Sequence, residues 1–148
     1  MTPTAVIDLT EMVRLVMRRP EHSLLFQAWE KGAFVWAVSE PMLAEFVRVT
    51  DRPKMRRMIR PLVRNAVVEA LQARAHIVTP ATQFPPCRDP KDDIVVATAV
   101  AARPCYLVTA DRDLYDDARL VAALRDLEVA VVQAGEFLAG LTYQQNRV

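Results

Sequence analysis

Glycine is scarce in this chain: 148 residues contain three, Gly32, Gly135 and Gly140, against a usual share near 7%. Glycine-rich loops that close a backbone around a phosphate, of the P-loop or dinucleotide-binding type, are thereby excluded. Cysteine is as sparse. Cys87 and Cys105 show no Cys-x-x-Cys spacing and cannot build a structural zinc site by themselves. In a reducing compartment both are expected as free thiols. The two histidines, His22 and His76, lie outside every acidic motif and receive no role. Long apolar runs are missing too: residues 94–102 are the longest candidate, nine residues with Thr98 among them, where a bilayer-spanning helix needs about 20. The opening Met1-Thr2-Pro3-Thr4 has no basic stretch followed by an apolar core. No secretory signal is visible, and a cytoplasmic protein without membrane attachment is expected.

What is present has the balance of an ordinary globular protein, 52% hydrophobic and 25% charged, in a length that suits one compact domain over residues 1–148. The net charge of +1 hides a segregation. Residues 48–64 hold seven bases (Arg48, Arg52, Lys54, Arg56, Arg57, Arg60, Arg64) against one acid, Asp51, while residues 89–126 hold eight of the ten aspartates. Sixteen of the nineteen cationic side chains are arginine, whose planar fork suits phosphate. The plainer account is a solvated helical face.

Short apolar runs alternate with amphipathic stretches. Strands are expected at residues 4–7, 34–38, 76–78, 106–109 and 129–132. Helices are expected at 11–18, 21–31, from residue 40 with Met42, Leu43, Phe46 and Val47 on one face, and at 51–60, 61–75, 92–102, 116–124 and 136–141. Gly32 is placed to end the second helix and Ser39 to cap the third. Residues 79–91 carry four prolines and no periodicity, a loop of unusual length for a compact domain. Nearly all-apolar strands separated by helices indicate a three-layer α/β/α fold around a parallel sheet of four or five strands.

Ligands of open parallel sheets bind beyond the carboxyl ends of the strands. Asp8 ends the first strand; Asp111 and Asp113 follow the fourth; Asp92 and Asp93 open the apolar helix. Glu45 falls at the edge of the face made by Met42, Phe46 and Val49. Carboxylates brought together repel until a proton or cation relieves them, and oxygen-only ligation favours Mg2+ or Mn2+. Each acid also has a simpler use: Asp89, Asp92 and Asp111 are all placed to cap a helix or turn.

Four segments resemble, in order, the motifs of the PIN-domain nucleases, and in particular the toxin components of toxin–antitoxin systems. They are Val6-Ile7-Asp8; Ser39-Glu40-Pro41-Met42-Leu43-Ala44-Glu45-Phe46; Cys87-Arg88-Asp89-Pro90-Lys91-Asp92-Asp93 with the following Ile94-Val95-Val96-Ala97; and Leu107-Val108-Thr109-Ala110-Asp111-Arg112-Asp113-Leu114. Aligning the small-residue helix selects Asp92 as the third acid; Asp111 and Asp113 both match the fourth. The family opens with Asp-Thr-Asn or Asp-Thr-Ser where this chain has Asp8-Leu9-Thr10, which keeps a hydroxyl at the third position.

The resemblance implies a Mg2+- or Mn2+-dependent endoribonuclease. Asp8 and Asp92 would be the metal ligands, with Glu45 and Asp111 or Asp113 completing the catalytic set. It also implies a homodimer and a small antitoxin partner. Arg56, Arg57 and Arg60 would hold RNA phosphates. A catalytically silent PIN-like domain that binds RNA or a protein partner is the alternative.

Overall fold

A computed structural model describes residues 2–145; the outermost positions of the expected 1–148 domain lie outside the described residues. Five strands, β1 (Thr4–Ile7), β2 (Val35–Val38), β3 (His76–Ile77), β4 (Cys105–Val108) and β5 (Val129–Val132), form one sheet in the order β3-β2-β1-β4-β5. Every pairing is parallel. β1 is the central strand, and Ala5, Val6 and Ile7 are fully buried. A strand covered on both faces reads as a continuous apolar run rather than an alternating one, as this one does.

The helices are α1 (Leu9–Met17), α2 (Leu24–Glu30), α3 (Glu40–Thr50), α4 (Pro53–Arg56), α5 (Pro61–Arg74), α6 (Asp93–Ala102), α7 (Arg112–Tyr115), α8 (Ala118–Asp126) and α9 (Ala134–Gln145). From β1 through β2 to β3 the chain steps one way across the sheet; from β3 to β4 and β5 it steps back. Right-handed crossovers travelling in opposite directions put their helices on opposite faces. α1 to α5 therefore cover one face and α6 to α8 the other, which gives the three layers. α9 joins the first face, where Phe137 meets Phe34 and Tyr106 at ring-centroid distances of 5.2 and 5.4 Å. No helix among the described residues is long and apolar enough to cross a membrane.

Local chemistry sets the ends of several elements. Gly32 takes φ +76 just past α2, the left-handed conformation that closes a helix at least cost in glycine. Ser39 caps α3 by accepting from Met42 N at 3.4 Å, and its hydroxyl also meets Thr98 Oγ1 of α6 at 2.7 Å. That buried contact ties the start of α3 to the helix beneath the sheet. α6 is apolar all round, with Val95 to Val100 buried without a break, and so must lie between the sheet and its neighbours.

Some boundaries differ from expectation. The helix expected over residues 51–60 shortens to the single turn α4. Beyond it Ile59 is buried but Arg57, Met58 and Arg60 are exposed, so there is no apolar stripe to hold a longer helix against the core. The helix expected at 92–102 is preceded by a 3-10 turn, Pro90–Asp92, and the one expected at 116–124 begins at Ala118, where Asp117 caps Leu120 N at 3.2 Å. α7, a turn capped by Asp111, was not expected as a separate element. The proline-rich segment has no regular structure before that 3-10 turn, and Ala81 N donates to Ala97 O of α6 at 2.9 Å.

Candidate metal centre

Strand order alone defines a crevice. Sequence direction reverses between β1 and β4, and the carboxyl ends of two such neighbouring strands leave a gap where their connections diverge to opposite faces. β1 and β4 pair in register with Ile7 opposite Val108, so the next residues, Asp8 and Thr109, emerge side by side. Asp8 N donates to Val108 O at 2.9 Å, and Thr109 Oγ1 donates to Asp8 Oδ2 at 2.7 Å. The same Thr109 oxygen accepts from Asp111 N at 3.0 Å. One buried hydroxyl thus sets both the Asp8 carboxylate and the chain leading to Asp111.

Asp92 approaches from the other layer, carried by the 3-10 turn into the start of α6. It is buried, and its Oδ2 has no hydrogen-bond partner. Burial pushes its pKa up to about 7, with further elevation from the Asp111 and Asp8 charges and from a side-chain contact with Asp111. Two ionised carboxylates cannot make that last contact; a proton or a cation must lie between them. Asp8 is raised too, chiefly by burial, and the Thr109 bond works against the shift.

A second grouping shares Asp92. One carboxylate oxygen from each of Asp89, Asp92 and Asp113 lies within 4.8 Å of the others. Asp89 also accepts from Lys91 N at 3.0 Å, and Asp111 from Asp113 N at 2.9 Å. The capping role is therefore real for both Asp89 and Asp111, and it does not remove either from the acidic edge. Capping one neighbour leaves the second oxygen and the negative charge in place.

Five aspartates (Asp8, Asp89, Asp92, Asp111, Asp113) thus meet through shared charges or short separations. Glu45 stands apart. Arg48 grips it through Nε at 2.9 Å and a second guanidinium nitrogen at 2.5 Å. That bond lowers its pKa, with Arg52 and Lys91 adding to the effect. Asp93 is turned to Cys87, whose thiol burial pushes up to about 12. Such a thiol is no nucleophile. Cys105 is free like Cys87, buried, and also raised to about 12.

Among the sequence-derived RNA contacts, Arg56 pairs with Asp51 at 3.5 Å. Arg57 and Arg60 are exposed with no ion pair among the described residues. Arg64 is buried and donates to Val47 O and Thr50 Oγ1, both at 3.1 Å, so it pins α5 to the end of α3 and faces no ligand. Sequence reasoning gave Thr109 no role and treated Asp89 only as a cap. The signals were there: a hydroxyl residue directly ending a strand two places before an acid, and an acid one helical turn before Asp92.

The donor set is all carboxylate, its buried members are held above their ordinary pKa, and one buried oxygen lacks any donor. These features fit a hard divalent cation and no softer metal. A parallel α/β/α sheet with such a centre at its switch point defines a class of cation-dependent α/β domain. The PIN domain family model matches residues 4–113, a span that opens on β1 and closes on Asp113. The chain belongs to the PIN domain family, whose fold is of the nuclease type and whose members generally depend on divalent metal. No match to a curated protein accompanies it.

Proposed function

We propose that the chain is a Mg2+- or Mn2+-dependent endoribonuclease, the cytoplasmic toxin of a toxin–antitoxin pair, acting as a homodimer that a small antitoxin neutralises. The observation that carries the nuclease activity is the Asp8–Asp92–Asp111 cluster, to which no ion pair runs among the described residues. RNA as substrate and the toxin role rest on the likeness of the four motifs to those of the toxin branch of the family.

Asp8 and Asp92 hold the ion in this reading, with Asp111 and Asp113 beside them and Glu45 at the margin. The bound ion would supply charge neutralisation at the phosphodiester and a water acidic enough to attack at neutral pH. Thr109 keeps one Asp8 oxygen occupied and so presents the other in a fixed direction. Val6, Val38, Val96 and Val108, all fully buried, make the platform beneath the acids dry and stiff. Hydrolysis adds the water oxygen to phosphorus and breaks one P–O ester bond, and the departing oxygen takes up a proton. Arg57 and Arg60, together with Arg56 once Asp51 releases it, offer basic groups to the flanking phosphates.

Labelled single-stranded RNA and DNA of the same sequence, incubated with the chain in Mg2+, Mn2+ or EDTA, test this. Cleavage of RNA that needs metal and disappears in Asp92→Asn is expected. Failure to cleave RNA in either metal, by protein that binds Mn2+, would overturn it.

A further inference from the structure

A cleft of about 440 Å3 adjoins the acidic edge and has no part in the scheme above. It opens between α1, the turn Pro20–His22 and the first turn of α9, beyond the ends of β4 and β5. Ala110, directly before Asp111, forms part of its wall. Its charged and titratable lining is Arg14, Arg18 and His22 against a single acid, Glu11. Glu11 accepts from Arg14 at 3.2 Å and also belongs to the field that raises Asp8, so cleft and centre are electrostatically continuous. The first internal bond of α9 runs from Phe137 N to Gln133 O. The N–H groups of Gly135 and its neighbours therefore have no partner within the helix, and open space lies beside Gly135. Leu24, 65% exposed, supplies an apolar wall.

We propose that this cleft receives the RNA strand next to the cleaved phosphodiester, a neighbouring phosphate lying between Arg14 and Arg18 and the nucleoside against Leu24. The inference rests on the nuclease reading. A strand whose reacting phosphate sits at the acids and leaves past Ala110 enters this cleft. There two guanidinium groups offset the repulsion that the carboxylates exert on the phosphate chain. The volume falls within the range of small-ligand pockets, which a single nucleotide can occupy. The arginine-rich arm between β2 and β3 would hold the strand on its other side.

The test is anisotropy of a fluorescein-labelled single-stranded RNA on the non-cleaving Asp92→Asn protein, with Mg2+, between about 50 and 200 mM salt. Each phosphate contact to a single strand adds about 0.7 to the salt slope. Arg14→Ala with Arg18→Ala is expected to lower the slope by about 0.7, the share of the one phosphate between them, and to weaken binding more at the lower salt than at the higher. Arg14→Lys with Arg18→Lys, which keeps both charges, should restore most of the slope. Arg125→Ala, at the opposite end of the strands, should change neither quantity. An unchanged slope in the alanine pair, with the parent's melting midpoint, overturns the proposal. So does a selective loss of binding to polyglutamate, which would make the cleft a dock for an acidic peptide. Wild-type protein that cleaves RNA while the cleft variants bind normally refutes the cleft alone. Wild-type protein that fails to cleave, with a parent that does not bind RNA, refutes the nuclease reading and the cleft together.

Discussion

Asp92 and Glu45 are both acids in matched motifs near the carboxyl edge of one sheet, and the structure treats them in opposite ways. Asp92 is buried, lies among the carboxylates of Asp8, Asp89, Asp111 and Asp113, and is pushed up to about 7. Glu45 keeps a third of its side chain exposed and is neutralised by Arg48, one turn away on the same helix. Burial removes water's stabilisation of an ion, and only a nearby opposite charge replaces it. Glu45 has its counter-charge on its own helix; among the described residues no ion pair reaches Asp92. In the proposed reading it is that unmet charge, and not the mere presence of acids, that calls for a cation at Asp92 and leaves Glu45 at the margin.

The sharpest test of the contrast is Asp92→Asn. Cleavage should fall by more than the roughly hundredfold that loss of an outer partner of a metal site produces. In EDTA at neutral pH the same variant should melt higher than the wild type, because a buried repulsion is gone. A lower midpoint would mean that Asp92 is compensated after all. Next in size is Thr109→Val, which removes the hydroxyl holding Asp8 while nearly keeping shape. Mn2+ affinity, read by calorimetry, should drop about 10- to 100-fold, and unaltered affinity would show that Asp8 is held by its backbone surroundings alone.

The pH dependence of stability follows from the Asp92 shift. Its pKa rises on folding from an ordinary 3.8 to about 7, so between those values the folded state binds the extra proton. Metal-free protein should therefore lose stability as pH rises through that window and level off above it. Melting midpoints in EDTA should fall from about pH 5 to pH 8, and Mg2+ should flatten the curve. A midpoint that climbs over this range contradicts the assignment. The smallest effect belongs to Glu45→Gln: at most about tenfold on cleavage, and less than about 1 kcal/mol in stability, as for other exposed ion pairs. If Glu45→Gln proved as damaging as Asp92→Asn, the distinction between centre and margin would collapse.

Much of the architecture was legible because it is set locally. The five strands, Gly32 after α2 and Ser39 at the start of α3 follow from apolar runs and from the few side chains that satisfy helix ends. α4 was overestimated, since helical propensity cannot reveal that Ile59 alone of residues 56–60 is buried in the core. The acids were recognisable as candidates from their positions at strand ends. Their relations were not.

By itself the sequence determined a parallel sheet between helical layers and the motifs that place the chain in its family. Periodicity and capping act over three or four residues, and motif spacing is read along the chain. Only the tertiary structure decided which acids share a field. Thr109 reaches Asp8 across 101 residues of sequence, Asp92 arrives from the opposite layer, and Asp111 and Asp113, which the motif alone could not rank, divide their contacts. Asp111 couples to Asp8 and Asp92, while Asp113 joins Asp89 and Asp92. Charge–charge energies depend on separation in space and on exclusion of water, and neither exists until β1, β4 and α6 have packed together.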